Sequence, residues 1–196
     1  MRCLVLLIAC VACAVPAQAT VDPDVDQIGV YFDLDANAVC LEVPLYSTFS
    51  AYMIITNPSA TEVQGVSVRL CAEGDVTEQL SWWYGTPGGI DYWSESCYCV
   101  TFSFLEPVPF VGSNVPLVRV DYLLYGELGA KFFLRQEGDG FYEDGLPAYI
   151  DAGGIEYPLG VSSGDPSLPV AVVNGDCNAV VSITGVTLGA VKSLYR

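Results

Sequence analysis

Cys97-Tyr98-Cys99-Val100-Thr101-Phe102-Ser103-Phe104 is the stretch on which the fold turns. Residues of one chemical kind recur at every second position, and side chains of a β-strand point alternately to its two faces. Tyr98, Val100, Phe102 and Phe104 therefore share the predicted core face, with Cys97, Cys99, Thr101 and Ser103 opposite. The same period organises Val66, Val68 and Leu70 against Ser67, Arg69 and Cys71. It also organises Val118, Val120, Tyr122 and Leu124 against Arg119 and Asp121. Shorter β-branched and aromatic runs lie at Gln27–Phe32, Phe49–Thr56, Lys131–Arg135, Pro147–Ile150 and Leu168–Val173. Turn residues separate them, at Asn57-Pro58-Ser59, Glu73-Gly74-Asp75, Thr86-Pro87-Gly88-Gly89, Gly138-Asp139-Gly140, Gly153-Gly154 and Gly164-Asp165-Pro166. The long helical crossovers of a parallel sheet are missing. The chain reads as all-β, an antiparallel β-sandwich of roughly eight to ten strands.

The alternation also places the cysteines. Cys97 and Cys99 face away from the core, and so does Cys71 by the same count. A bridge among them would staple strands on the outside of a sheet, and a one-residue bulge would reverse that assignment. Cys97 and Cys99 are too close along one strand to pair with each other. The expected scheme joins Cys71 to Cys97 or Cys99, and Cys40 to Cys177. The fifth cysteine of the mature chain is then free, or it links two molecules. No CxxC pair offers a zinc site after residue 19.

The first nineteen residues read as a leader. Met1-Arg2 is positive, Leu4 to Val15 is almost wholly apolar, and Ala17-Gln18-Ala19 is a small-x-small cleavage site. Leu7-Ile8-Ala9-Cys10 offers a competing lipobox with Cys10 as the anchor, although the apolar stretch before it is short. Cleavage after Ala19 leaves Cys40, Cys71, Cys97, Cys99 and Cys177 in an oxidising extracellular, periplasmic or cell-surface setting that favours disulfides. The expected organisation is a signal peptide at 1–19, an acidic segment at 20–26, the sandwich at 27–177 and a tail at 178–196. Val186, Leu188, Val191, Leu194 and Tyr195 suit a short helix in that tail, which Gly185 and Gly189 weaken. No later segment is apolar for the roughly twenty residues that a membrane-spanning helix needs.

Charge and composition exclude several activities. The 196 residues hold 7 basic and 23 acidic side chains and no histidine, for a net charge of −16. Nucleic-acid binding needs clustered Lys and Arg. Histidine-dependent nucleophilic catalysis and histidine-ligated metals are impossible. Gly-x-Ser-x-Gly, Walker and Rossmann patterns are absent. A pair of carboxylates could still hydrolyse a glycosidic bond, but nothing singles out a pair. The chain therefore reads as a binding or structural module, not as an enzyme.

Two features are candidate sites. Trp82, Trp83, Tyr84, Tyr92 and Trp93 flank the turn at Thr86–Gly89 and include every tryptophan of the chain. In a hairpin, Trp82 and Tyr84 would share one face and Trp83 the other. Exposed rings there suit a protein interface or stacking on a polysaccharide; alternatively they cover the open end of the core. The second feature is acidic. Asp22, Asp24 and Asp26 precede the first strand, and Asp33 and Asp35 follow it. Glu137, Asp139, Glu143 and Asp144 lie among Gly138, Gly140 and Gly145. Such carboxylates are suitable calcium ligands, though solvated loop acids are commoner. Calcium is the one cofactor considered.

Ile28-Gly29-Val30-Tyr31-Phe32-Asp33, Ala51-Tyr52-Met53-Ile54-Ile55-Thr56-Asn57-Pro58 and Val63-Gln64-Gly65-Val66-Ser67-Val68 give the chain a resemblance to a group of exported bacterial proteins of unassigned function. Gly189-Ala190-Val191-Lys192-Ser193-Leu194-Tyr195-Arg196 resembles the tail of that group. Over residues 27–174 the strand order is similar to cohesin-like sandwiches, within the immunoglobulin-like class. The resemblance implies a protein-binding or carbohydrate-binding sandwich without catalysis. Asn174-Gly175-Asp176 looks similar to a dockerin calcium loop. The ligand positions argue against calcium there, since Val172 and Ile183 would have to coordinate. The reading is a secreted or cell-surface module that binds a protein partner. The alternatives are a carbohydrate-binding module or an extracellular assembly subunit, joined through the odd cysteine or the tail.

Overall fold

The computed structural model describes residues 24–93, 98–135, 147–177 and 180, and for 87–93 and 98–102 the backbone only. The leader, Asp22, Cys97, the Glu137–Asp144 loop and the helix expected in the tail lie outside these residues.

Eight longer strands carry the fold: β1 (Gln27–Tyr31), β3 (Thr48–Thr56), β4 (Glu62–Gly74), β5 (Val76–Trp83), β6 (Pro87–Trp93), β7 (Tyr98–Pro109), β8 (Asn114–Leu124) and β9 (Ala130–Arg135). Five short ones complete it: β2 (Cys40–Leu41), β10 (Ala148–Ile150), β11 (Glu156–Pro158), β12 (Gly160–Val161) and β13 (Ala171–Val173). The first sheet has the order β12-β1-β3-β8-β5. In the second, β4 is the spine. It pairs with β7 along one edge, and β7 pairs with β6. Along its other edge β4 pairs with β10 and then with β9, which leads to β13 and β2.

Alternation put the right residues inside. Val66, Val68, Leu70, Phe104, Val118, Val120, Tyr122 and Leu124 all belong to the core between the sheets. At its centre, Phe132 meets Tyr122, Phe32 and Phe49 edge-on, with centroids 5.2, 6.1 and 6.3 Å away.

The pairing is not wholly antiparallel. β1 runs parallel to β12, and β2 parallel to β13. Parallel neighbours need a long connection. Here the intervening strands of the two layers supply it, so no crossover helix is required. The hairpin expected around Thr86–Gly89 is also replaced. β5 pairs with β8 in the first sheet, whereas β6 pairs with β7 in the second. The chain changes layer at Tyr84–Thr86, where Gly85 lies so close to Phe104 and Val108 that a Cβ would collide with them.

Cys40 and Cys177 are bonded, with Cα atoms 5.6 Å apart, and close a separation of 137 residues. Cys71 lies on the side of β4 away from Leu70 and Ala72, as the alternation required, yet it is fully buried. The β4–β7 register sets Cys99 opposite Arg69, two positions along β4 from Cys71.

Candidate functional site

The outer face of the first sheet is exposed at its β5 end, whereas at β1 and β3 Tyr31 and Ile54 are buried with Ala36 in a small second cluster against which Tyr52 packs. Its rows can be followed across the strands. Tyr31, Tyr52, Arg119 and Trp82 are neighbours in register on β1, β3, β8 and β5. The next row runs Ser50, Asp121, Leu80, and the one after it Thr48, Leu123, Thr77. Beyond that, Tyr46 donates its N–H to Leu124 O and Tyr125 donates its own to Asp75 O. Both rings are exposed.

The face is aromatic and electrically balanced. Trp82 is 55% exposed, Leu80 49% and Tyr84 43%. Arg119 and Asp121 are the ionised side chains of these rows, and they neutralise each other. Arg119 Nε donates to Asp121 Oδ1 at 2.8 Å and a terminal nitrogen donates to Oδ2 at 3.0 Å. This is the bidentate geometry that suits a guanidinium to a carboxylate. Ser50 Oγ donates to Asp121 Oδ1 at 2.7 Å, and Trp82 donates to the same carboxylate. Partial burial raises the pKa of Asp121, but these hydrogen bonds outweigh it and hold the carboxyl below its ordinary value. Burial raises the Tyr84 phenol, Tyr52 adds to the rise and Arg119 opposes it.

The second sheet offers a different outer surface. Cys71 is fully buried there and Phe133 nearly so, with Arg135 over the Phe133 ring at 4.7 Å and bound to Glu73. That region is closed where the first sheet is open.

The five candidate aromatics are not one platform. Trp82 and Tyr84 stand on the open face, and Trp83 turns inward against the core. Tyr92 and Trp93 belong to β6 of the other sheet, because the chain changes layer between them. Tyr52, Leu80, Ser50, Arg119 and Asp121 complete the face and were not singled out. The period-two pattern of Val118–Leu124 already put Arg119 and Asp121 on an outer surface. It could not say that Trp82 would pair beside them.

Two of the acidic candidates, Asp26 and Asp33, have structural occupations. Asp26 accepts hydrogen bonds from Ser59 N–H, Ser59 Oγ and the Tyr149 phenol. Asp33 accepts from the Asn37 N–H at 2.9 Å, an Asx-type turn. Asn174 spends its amide on β2's continuation, donating to Val43 O and accepting from Val43 N–H, both at 2.7 Å. Among the described residues no group of three or more His, Cys, Asp or Glu could hold a metal ion. Nor is any helix among them long and apolar enough to cross a membrane.

No protein-family model matches this chain, and no curated protein sequence matches it. Solved structures do. The sixth cohesin from scaffoldin B of Acetivibrio cellulolyticus, determined in complex with a dockerin, superposes with a TM-score of 0.51 at 9% identity, covering 77% of this chain and 99% of that one. A type II cohesin domain from the cellulosome of the same organism gives 0.50 at 13%, covering 76% and 96%. The type II cohesin dyad from its adaptor ScaA scaffoldin gives 0.52 at 13%, covering 78% and 49%. At such identities the likeness is one of fold: this chain is a cohesin-like β-sandwich.

Proposed function

We propose that the chain is an exported, non-catalytic interaction module that docks a protein partner on the outer face of its first sheet. One observation carries this reading. On a chain of net charge −16, Leu80, Trp82 and Tyr84 are exposed beside half-buried Tyr52, Arg119 and Asp121, an aromatic face balanced in charge. Burying it strands no lone charge, which is the usual obstacle to desolvating a charged surface. Trp, Tyr and Arg are the residues that anchor protein interfaces. A four-strand ladder holds them in place beforehand, which lowers the ordering cost of association. The fold is consistent with the reading, since the scaffoldin B cohesin was determined bound to a dockerin. Residues 1–19 would be the leader, 27–177 the module and 178–196 its tail.

A polysaccharide is the second reading. The exposed Trp82 ring lies beside the Ser50 hydroxyl and the Arg119–Asp121 pair, a stacking plane next to hydrogen-bonding groups.

The test immobilises residues 20–196 and the Trp82→Ala/Tyr84→Ala variant against extracellular proteins of the source organism. In parallel, both are run through gels containing soluble polysaccharides. A protein retained by the wild type and lost from the variant, with an unchanged Tm, supports the proposal. Equal retention on both overturns it, and retardation by a polysaccharide that the variant abolishes transfers the face to the second reading. N-terminal sequencing of the exported protein should begin at Thr20.

A further inference from the structure

The edge of the first sheet adds something that the face does not. β5 closes the sheet, and among the described residues nothing pairs with its far side. A bulge lies at Gln79, where the β5–β8 register shifts between Glu78 and Leu80. From Leu80 to Tyr84 the ladder is regular, and Tyr84 N–H reaches Leu117 O. Alternation then turns the N–H and C=O of Ser81 outward to the open side. Sheet edges are usually blunted with lysine or proline. Leu80-Ser81-Trp82-Trp83-Tyr84 has neither, and its exposed side chains at 80, 82 and 84 are all apolar or aromatic.

The chain also holds a segment suited to such an edge. Nineteen residues follow Cys177, and none of them is acidic, although the whole chain has 23 acids. Two of its 7 basic residues, Lys192 and Arg196, are among them. Val181-Ser182-Ile183-Thr184-Gly185-Val186 is uncharged, free of proline and rich in β-branched residues, the composition of a strand. Glu78 stands at the start of the open edge, where a cation following that strand would find a counter-charge.

We propose that residues 181–186 of one molecule add as a strand to the Leu80–Tyr84 edge of a second molecule, linking copies head to tail. Main-chain hydrogen bonds would supply affinity, and Val181 or Ile183 would cover Trp82. Distance decides between the two acceptors, its own edge and a neighbour's. Cys177 is bonded to Cys40 on β2, beyond β13 at the edge of the second sheet. β9 and β13 pack beneath β1, and β5 is three strands from β1. Three spacings are about 14 Å and the layers are about 10 Å apart, so the path exceeds roughly 17 Å. Four residue steps from Cys177 to Val181 reach only about 14 Å. The molecule's own edge is out of reach, and a neighbour's is not. Such a heterologous contact does not close on itself and generates chains of copies. The inference concerns the edge, so its failure leaves the docking face untouched.

The test uses residues 20–196 with free thiols blocked by iodoacetamide, so that covalent dimers do not contribute. Light scattering during size exclusion follows mass against concentration for this protein, for Ile183→Pro and for Ser81→Pro. Proline at 183 interrupts the donor. Proline at 81 removes an outward N–H and leaves the β8 ladder intact. Species heavier than monomer that grow with concentration and are lost from both variants support the proposal. So does a 178–196 peptide that shifts the tryptophan fluorescence of residues 20–180 but not of their Ser81→Pro form. A monomer at every concentration with no peptide response overturns it, as does an oligomer that both proline variants retain.

Discussion

Tyr149→Phe is a test of how the N-terminal entry to β1 is fastened to the second sheet. Tyr149 is fully buried on β10. Its phenol donates to Asp26 Oδ1 at 2.8 Å and accepts from the Ala60 N–H at 3.2 Å. Its ring stacks on Tyr157 at 4.9 Å and meets Phe110 edge-on at 5.7 Å, contacts that phenylalanine keeps. The substitution removes one hydrogen bond to a carboxylate and leaves a backbone N–H without its acceptor. Together these should cost about 2–4 kcal/mol at neutral pH. The cost should then shrink in alkali. Burial first, with Asp26 adding to it, pushes the phenol up to about 12, against about 10 in an unfolded chain. Between those values the native state keeps a proton that the unfolded state releases, so stability is full below about pH 10 and falls as pH rises. Two units correspond to at most roughly 2.7 kcal/mol. Tyr157 is also raised, by burial first and by Asp151, but it is present in both proteins. Urea titrations of wild type and variant at several pH values give the difference directly. A gap that is absent at neutral pH, or that is as wide near pH 11 as near pH 8, would refute the reasoning.

Other substitutions probe the remaining supports. Asn174 has φ of +50° and binds both polar groups of Val43, so Asn174→Ala should cost about 2–4 kcal/mol. Asn174→Gly, free of the left-handed penalty, should recover about 1 kcal/mol of it in urea unfolding. Phe132→Ala empties the meeting point of three rings and should cost about 3–5 kcal/mol by the same measurement. Cys177→Ser opens a loop of 137 residues, for which chain entropy gives about 5 kcal/mol, read as a fall in the urea midpoint. Asp121 is held below its ordinary value, so its contribution is present above about pH 4 and is lost as pH falls through the folded value. Asp121→Asn should therefore flatten the acid limb of a Tm-against-pH curve.

The sequence disclosed faces better than it disclosed neighbours. Period two in Val66–Leu70 and Val118–Leu124 is a local property, and it placed each core residue correctly. It also sent Cys71 outward. It could not foresee that Cys71 would be buried there, because alternation names a side and not what lies over it. Thr86-Pro87-Gly88-Gly89 reads locally as a hairpin turn, whereas pairing with β8 and β7 over long separations divides β5 from β6. That division split the aromatic cluster and brought Arg119 and Asp121 beside Trp82. The short strands β2 and β10 to β13 have two or three residues each, too few to show any period. Asp26, Tyr46 and Asn174 adopt positive φ because tertiary hydrogen bonds hold them, a signal absent from composition.

The Cys40–Cys177 bond determines how the module would carry tension. Without it, a pull on the chain beyond residue 177 would load β13 first and peel a three-residue strand from β9 one pair at a time. With it, the load leaves the chain at Cys177, crosses to Cys40 and enters the fold through β2, so β13 is spared. In an oxidising medium the sandwich would resist as a unit. Once reduced, it would yield at its last strand, which makes the redox state of one bond the setting of its mechanical strength.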